Sequence, residues 1–156
     1  PNTNSSPRRG FTLIELLVTT SIILLLAGFG LASWQNFNEQ QTLDAAAQDL
    51  KNNLRQARGW AMSVRKVACE SKISAGYEVD FNNVDGYRIR EKCDNAINGE
   101  WQTFSYPGGV FDDYNGSFVF LPLTGATTLT ADSVTVTLSL GGRTRAVLIR
   151  KNGEIE

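Results

Sequence analysis

Histidine is absent from the chain. With it go Ser-His triads, histidine metal sites and the commonest general base. The residues left that could do chemistry are few. Ser63-Val64-Arg65-Lys66 has the Ser-x-x-Lys spacing of an acylating serine beside a lysine, but the companion Ser-Asp-Asn and Lys-Thr-Gly triplets are missing. Asp112 and Asp113 offer adjacent oxygens without the ordered ligand loop that calcium requires. No metal and no cofactor is therefore expected. Gly142-Arg143-Thr144-Arg145, with Arg150 and Lys151 close in sequence, is a short basic cluster of the kind that meets phosphates. Cys69 and Cys93 are the two cysteines. Glu15 is the most unusual of these groups, because it is the only ionisable side chain between Phe11 and Leu31. A carboxylate inside a membrane-spanning helix costs about 2.5–3.5 kcal/mol on insertion scales, so one found there has a purpose. It also sits where a helix would begin, and a carboxylate in the first turn complements the positive end of the macrodipole.

The elements that position these groups follow from periodicity. Residues 11–31 form an apolar run long enough to cross a bilayer as a helix. Ala27-Gly28-Phe29-Gly30 is only faintly compatible with a secretory cleavage site, and the run exceeds the usual apolar core of a signal peptide. Arg8 and Arg9 before the run place the N-terminus on the cytoplasmic side and everything after Leu31 outside. Trp34 and Phe37 suit the aromatic belt at the outer interface. Beyond the run, Leu43, Ala47, Leu50, Leu54, Ala57, Ala61 and Val64 recur at alternating steps of four and three, which is one stripe of a helix. No proline lies between Phe11 and Val64, so one helix of about 80 Å is feasible. Gly28 and Gly30 weaken it locally.

After Lys66 the period changes to two. Tyr77, Val79 and Phe81 alternate with Glu78 and Asp80, and Tyr87 and Ile89 alternate with Arg88 and Arg90, across an Asp85-Gly86 turn. Trp101 and Phe104, Phe118 to Leu121, Val134 to Leu140 and Ala146 to Arg150 read as further strands. The fold class is α+β: a long N-terminal helix, its first half membrane-spanning, covering one face of an antiparallel sheet. Two cysteines on the outside of a membrane are more often bridged than free, so a Cys69–Cys93 disulfide is expected. The net charge of −1 falls by two, to −3, without Arg8 and Arg9. That balance does not point to a general nucleic-acid binder. Position 1 is proline, so the true start is expected upstream.

Arg8-Arg9-Gly10-Phe11-Thr12-Leu13-Ile14-Glu15, followed by the apolar run, resembles the prepilin signal of type IV pilins and type II secretion pseudopilins. The resemblance implies cleavage by a prepilin peptidase between Gly10 and Phe11, N-methylation of Phe11, and assembly of the filament through the helix. It implies that Glu15, at mature position five, pairs with the terminal amine of a neighbouring subunit. Ala57-Arg58-Gly59-Trp60-Ala61 and the late Gly153-Glu154-Ile155 resemble the GspH/FimT-like branch. Residues 1–10 would be the leader, 11–31 the transmembrane and assembly helix, 32–65 its amphipathic second half, and 66–156 the globular β domain.

The implied partners are other pilin or pseudopilin subunits, the prepilin peptidase, the inner-membrane assembly platform and, before assembly, membrane lipid. The implied location is a single-pass cell-membrane protein that becomes part of a pilus or pseudopilus, with no enzymatic activity. Some FimT-like minor pilins bind DNA through a C-terminal Gly-Arg-x-Arg motif. Here the terminal counterpart is Gly153-Glu154-Ile155-Glu156, and Arg143 and Arg145 spell the pattern one hairpin early, so nucleic acid is not expected as a partner. The competing class is an anchored binding domain that never polymerises; it would need neither cleavage at Gly10 nor the acid at position 15.

Overall fold

The computed structural model describes residues 10–69, 73–83, 86–94 and 98–156, with the side chains of 29–33, 35 and 83 outside that description. The chain divides into two compact units, Pro1–Asn38 and Glu39–Glu156. Helix α1 (Leu13–Met62) contributes to both.

In the first unit the helix starts with a cap that the sequence spells as Thr12-x-x-Glu15. The Glu15 N–H donates to Thr12 Oγ1 at 3.3 Å, and the Leu16 N–H donates to the Thr12 carbonyl at 3.2 Å. This satisfies one of the donors that a helix start otherwise leaves unpaired. The following surface is apolar and open: Leu13 is 83% exposed, and Leu16, Leu17, Ile22, Ile23, Leu24, Leu25 and Leu26 are all exposed. Its hydroxyls are already occupied. Thr19 Oγ1 donates to the Glu15 and Leu16 carbonyls, Thr20 Oγ1 to Leu17 O at 3.1 Å, and Ser21 Oγ to Leu17 O at 2.8 Å. Hydroxyls bonded back to the helix need no water.

In the second unit the same helix buries a stripe. Leu43, Ala46, Ala47, Leu50, Leu54, Ala57 and Ala61 are buried, on the spacing of three and four that the sequence shows. Ala46 widens that stripe. Val64 does not continue it. The helix ends at Met62, and Val64 takes a left-handed backbone (φ 50°). Arg65 N–H reaches back to Trp60 O at 3.0 Å, and Val64 N–H to Ala61 O at 3.1 Å. This is the Schellman pairing, with valine where glycine is the favoured residue.

Seven strands follow: β1 (Ser74–Asn83), β2 (Gly86–Cys93), β3 (Gln102–Ser105), β4 (Phe111–Asp112), β5 (Ser117–Phe120), β6 (Ser133–Leu140) and β7 (Arg143–Arg150). They form two antiparallel sheets, β3-β2-β1-β5 and β4-β6-β7, rather than the single sheet that alternation alone implied. Alternation reports which face of a strand is buried, not which strand lies beside it. The two-residue β4 carries no such signal. Residues 84–85 of the expected β1–β2 turn lie outside the described residues. The inward residues of both sheets, among them Tyr77, Val79, Phe81, Ile89, Phe118, Phe120, Val136, Leu138, Val147 and Ile149, share one core with the helix stripe.

On the other face of the first sheet, Arg88 meets Asp80 at 2.6 Å and Arg90 meets Glu78 at 2.6 Å. Both guanidinium groups also lie over the Trp101 ring, at 4.4 and 4.0 Å from its centroid.

The last residues close the second unit. Arg55 Nη2 donates to Ile155 O at 3.0 Å, and Arg58 Nη2 to Asn152 O at 3.5 Å. Gly153 takes φ 83°, and a Cβ there would lie 1.8 Å from Gly125 O, so only glycine fits this turn. Ile155 is buried behind it.

Candidate functional site

Gly10, Phe11 and Glu15 lie at the start of α1. Gly10 and Phe11 precede the helix, both exposed, and a Cβ placed on Gly10 would meet nothing within 4 Å. A peptide bond on an open, uncrowded backbone is accessible to a peptidase. Cutting there would leave the Phe11 amine at the chain's new terminus, four residues before Glu15. The Glu15 backbone is committed to the Thr12 cap, whereas its carboxylate is exposed and has no ion-pair partner among the described residues. The arrangement can therefore offer one negative charge on an otherwise apolar helical surface. Arg8 and Arg9 lie outside the described residues. Among the described residues no helix is long and apolar enough to cross a membrane, and the side chains of 29–31, which end the apolar run, lie outside the description.

Residues 5–31 match the Prokaryotic N-terminal methylation motif. The chain thus carries a type IV pilin-like prepilin signal. That signal supports membership of the pilin and pseudopilin family, whose subunits are structural and associate with one another and with the processing peptidase. It also implies a membrane-anchored protein that later becomes pilus-associated. No curated protein and no solved structure matches the chain. The motif ends at residue 31, so the β unit has to be read from its own geometry.

In that unit Cys69 and Cys93 form a disulfide, with Cα atoms 5.7 Å apart. Beside it lies a contact that periodicity does not reveal. Glu91 Oε2 accepts the N–H groups of Val67, Ala68 and Cys69 at 2.7, 2.6 and 3.3 Å. Burial pushes the Glu91 pKa up, but the N–H groups of Ala68 and Val67, the Ser74 hydroxyl and the Cys69 N–H together outweigh it and hold the carboxyl below its ordinary range. One carboxylate and one disulfide thus fasten the segment leaving the helix to β2. The sequence signal was a charged residue at an inward position of β2, where alternation calls for an apolar one.

The basic cluster is only partly free. Arg145 pairs with Asp44 of α1 and donates Nη1 to Thr144 O at 3.2 Å. Arg150 meets Glu156 at 3.0 Å and Glu154 at 3.6 Å. Arg143 is exposed and has no ion pair among the described residues. The structure therefore spends two of the three arginines on carboxylates of the chain itself.

Asp112 and Asp113 serve the loop between β4 and β5. Asp113 Oδ1 accepts the Thr137 N–H at 2.7 Å, and Asp112 Oδ1 accepts the Tyr114 N–H at 3.2 Å. No group of three or more cysteine, aspartate or glutamate side chains that could hold a metal ion occurs among the described residues. Ser63 Oγ donates to the Trp60 carbonyl at 3.2 Å, which makes it part of the helix end. Arg55 and Arg58, on the surface of α1 beside the buried stripe, reach the C-terminal turn through Ile155 O and Asn152 O.

Proposed function

We propose that this protein is a structural pilin or pseudopilin subunit of the GspH/FimT-like type. It is inserted through the 11–31 helix with the N-terminus cytoplasmic and the β unit outside. The peptidase cuts between Gly10 and Phe11, Phe11 is N-methylated, and the subunit polymerises through its N-terminal helix. Glu15 pairs with the terminal amine of a neighbouring subunit and so sets the axial register.

One observation supports this reading most. The matched signal coincides with a helix surface that is apolar, exposed and already satisfied in its hydroxyls, and that carries a single carboxylate. Such a surface has no partner within its own unit. Lipid first, and then other helices, would remove it from water. A single charge among apolar side chains is costly unless it meets a counter-charge, and only the correct axial position supplies one.

The test is the N-terminus of the native protein. Intact-mass spectrometry and Edman sequencing should find a chain that begins at N-methyl-Phe11. A host lacking prepilin peptidase should retain the leader. A terminus elsewhere, or one indifferent to the peptidase, would reject the reading. Glu15→Ala should lower the filament fraction sheared from cells at least tenfold while leaving the membrane-bound subunit at its normal level.

A further inference from the structure

A cleft of about 330 Å³ runs between α1 and β3, inside the Glu39–Glu156 unit. That volume falls at the lower end of the range for small-ligand sites. On the helix side, Asp49 and Asn53 stand one turn apart and flank the buried Leu50. On the sheet side the rings of Tyr87 and Phe104 stack, with centroids 5.2 Å apart, and Tyr106 packs on Tyr87 at 5.7 Å. Thr103 and Ser105 of β3, both exposed, bring further oxygens to the same wall.

The polar groups of this cleft are not used up. Asn53 Nδ2 donates to the Tyr87 hydroxyl at 2.7 Å, which leaves Asn53 Oδ1 able to accept. The Asp49 carboxylate is exposed and forms no ion pair among the described residues. It lies close to the same hydroxyl: burial first, and the Asp49 charge with it, push the Tyr87 pKa up to about 12 against the Asn53 bond. No lysine or arginine lines the cleft. One carboxylate is thus the only formal charge there, set among neutral oxygens and half-buried aromatic rings.

A cation is the complement of such a lining. Carboxylate and amide oxygens accept its N–H groups, aromatic rings attract it, and an apolar stem is covered by the Phe104 ring. An ammonium suits the site better than a guanidinium. Its three donors radiate towards acceptors on both α1 and β3, whereas those of a guanidinium lie in one plane.

We propose that the cleft between α1 and β3 binds a primary ammonium group carried on an unbranched apolar stem. The ammonium meets Asp49 and Asn53 Oδ1, and the stem lies against Phe104. A lysine side chain of a partner protein and a free alkylamine share this chemistry. The cleft belongs to the β unit alone, so the proposal stands or falls independently of processing at Gly10.

The test titrates the full chain, in micelles of a non-ionic detergent at pH 7, with N-acetyl-lysine methylamide. Nuclear magnetic resonance should show saturable shifts of the Asn53 side-chain amide. N-acetyl-norleucine methylamide keeps the stem and lacks the ammonium, and it should bind the same unaltered protein at least tenfold more weakly. Asp49→Asn should weaken lysine binding by about fivefold and remove its salt dependence. Because Asp49 is exposed, that variant should keep the parent's urea midpoint. Binding of n-butylamine as tight as that of the lysine derivative would support the site and assign it to free amines. Weaker binding of n-butylamine would support it and assign it to a lysine carried on a polypeptide.

Equal binding of the norleucine derivative would overturn the proposal. So would lysine binding whose strength and salt dependence survive Asp49→Asn, or an Asn53 amide that does not move at saturation.

Discussion

The two halves of α1 are both rich in apolar residues, yet they meet opposite fates. From Leu13 to Leu26 the apolar side chains surround the helix and stay exposed; from Leu43 to Ala61 they fall on one stripe and are buried. A stripe leaves a polar face for water and finds its cover in the sheets of its own unit. In the first half the apolar side chains are exposed and find no such cover within their own unit. The contrast separates what holds the β unit together from the surface on which the proposed assembly would rest.

The sharpest way to break this comparison is to make the same substitution in each half. Leu50 is fully buried, and Leu50→Ala should cost about 2–5 kcal/mol by lost transfer and cavity formation. Leu17 is exposed, and Leu17→Ala should leave the unfolding of the β unit within about 0.5 kcal/mol of the parent. Urea unfolding of the full chain in micelles, followed by tryptophan fluorescence, reads both. If Leu17→Ala destabilised as Leu50→Ala does, the first half would be packing against the β unit and the contrast would vanish.

That stripe also shows what could be read ahead of the structure. Spacing located Leu43, Ala47, Leu50, Leu54, Ala57 and Ala61 because burial on a helix repeats with its pitch. The signal around Gly10, Phe11 and Glu15 was legible for the same local reason, since a charge and a glycine stand out in an apolar run. Apart from the Cys69–Cys93 bridge, contacts between residues distant in sequence were not legible. Nothing in the sequence places Arg55 and Arg58 beside the C-terminal turn, or Asp44 beside Arg145. The split into two sheets was hidden too, because strand partners are chosen by tertiary packing.

Cys69–Cys93 offers the next largest effect, and it lies wholly within the β unit. Its sequence separation of 24 gives a stabilisation of about 3.5 kcal/mol in the chain-entropy description. Reduction should lower the urea midpoint accordingly; under the proposed function, filament entry should depend on the bridge only through the folded fraction. A reduced protein with an unchanged midpoint would mean that Glu91 alone holds the segment leaving the helix.

Glu91 itself should cost less, and its contribution should depend on pH. Its folded pKa is depressed, as is that of Asp80, which is held down by Asn82 and Arg88 against its own burial. Such groups contribute stability that is full above the unfolded carboxyl value of about 4 and is lost as pH falls through the lower folded value. Asp112 has the opposite sign, since burial raises its pKa, and it offsets part of that loss. Glu91→Gln should cost about 1–3 kcal/mol at pH 7 by placing an amide against three N–H groups. The difference from the parent should begin to shrink as the pH drops below about 4, where the unfolded carboxyl takes up its proton, and be lost as the pH falls through the lower folded value, where the folded carboxyl does too. A constant difference across that range would show that shape, not charge, fastens the loop.

The smallest effect concerns an exception to the contrast, an apolar residue left in the open on the β unit. Leu123 is 74% exposed and sits at φ 65°, with its N–H donating to the Ala61 carbonyl at 3.2 Å. A left-handed backbone costs a residue with a Cβ roughly 1–2 kcal/mol. Glycine removes that cost, keeps the N–H, and loses little packing at so exposed a position. It also adds freedom to the unfolded chain, which takes back about 0.4–1 kcal/mol. Leu123→Gly should therefore stabilise the β unit by up to about 1 kcal/mol, seen as a rise in the urea midpoint at constant slope. Val64, in the same conformation beside the same carbonyl but half-buried, should gain less from glycine because it has packing to lose. If Leu123→Gly instead destabilised the unit, the leucine would be making a contact that its exposure hides. The division between a self-sufficient β unit and a dependent helix would then need redrawing at this turn.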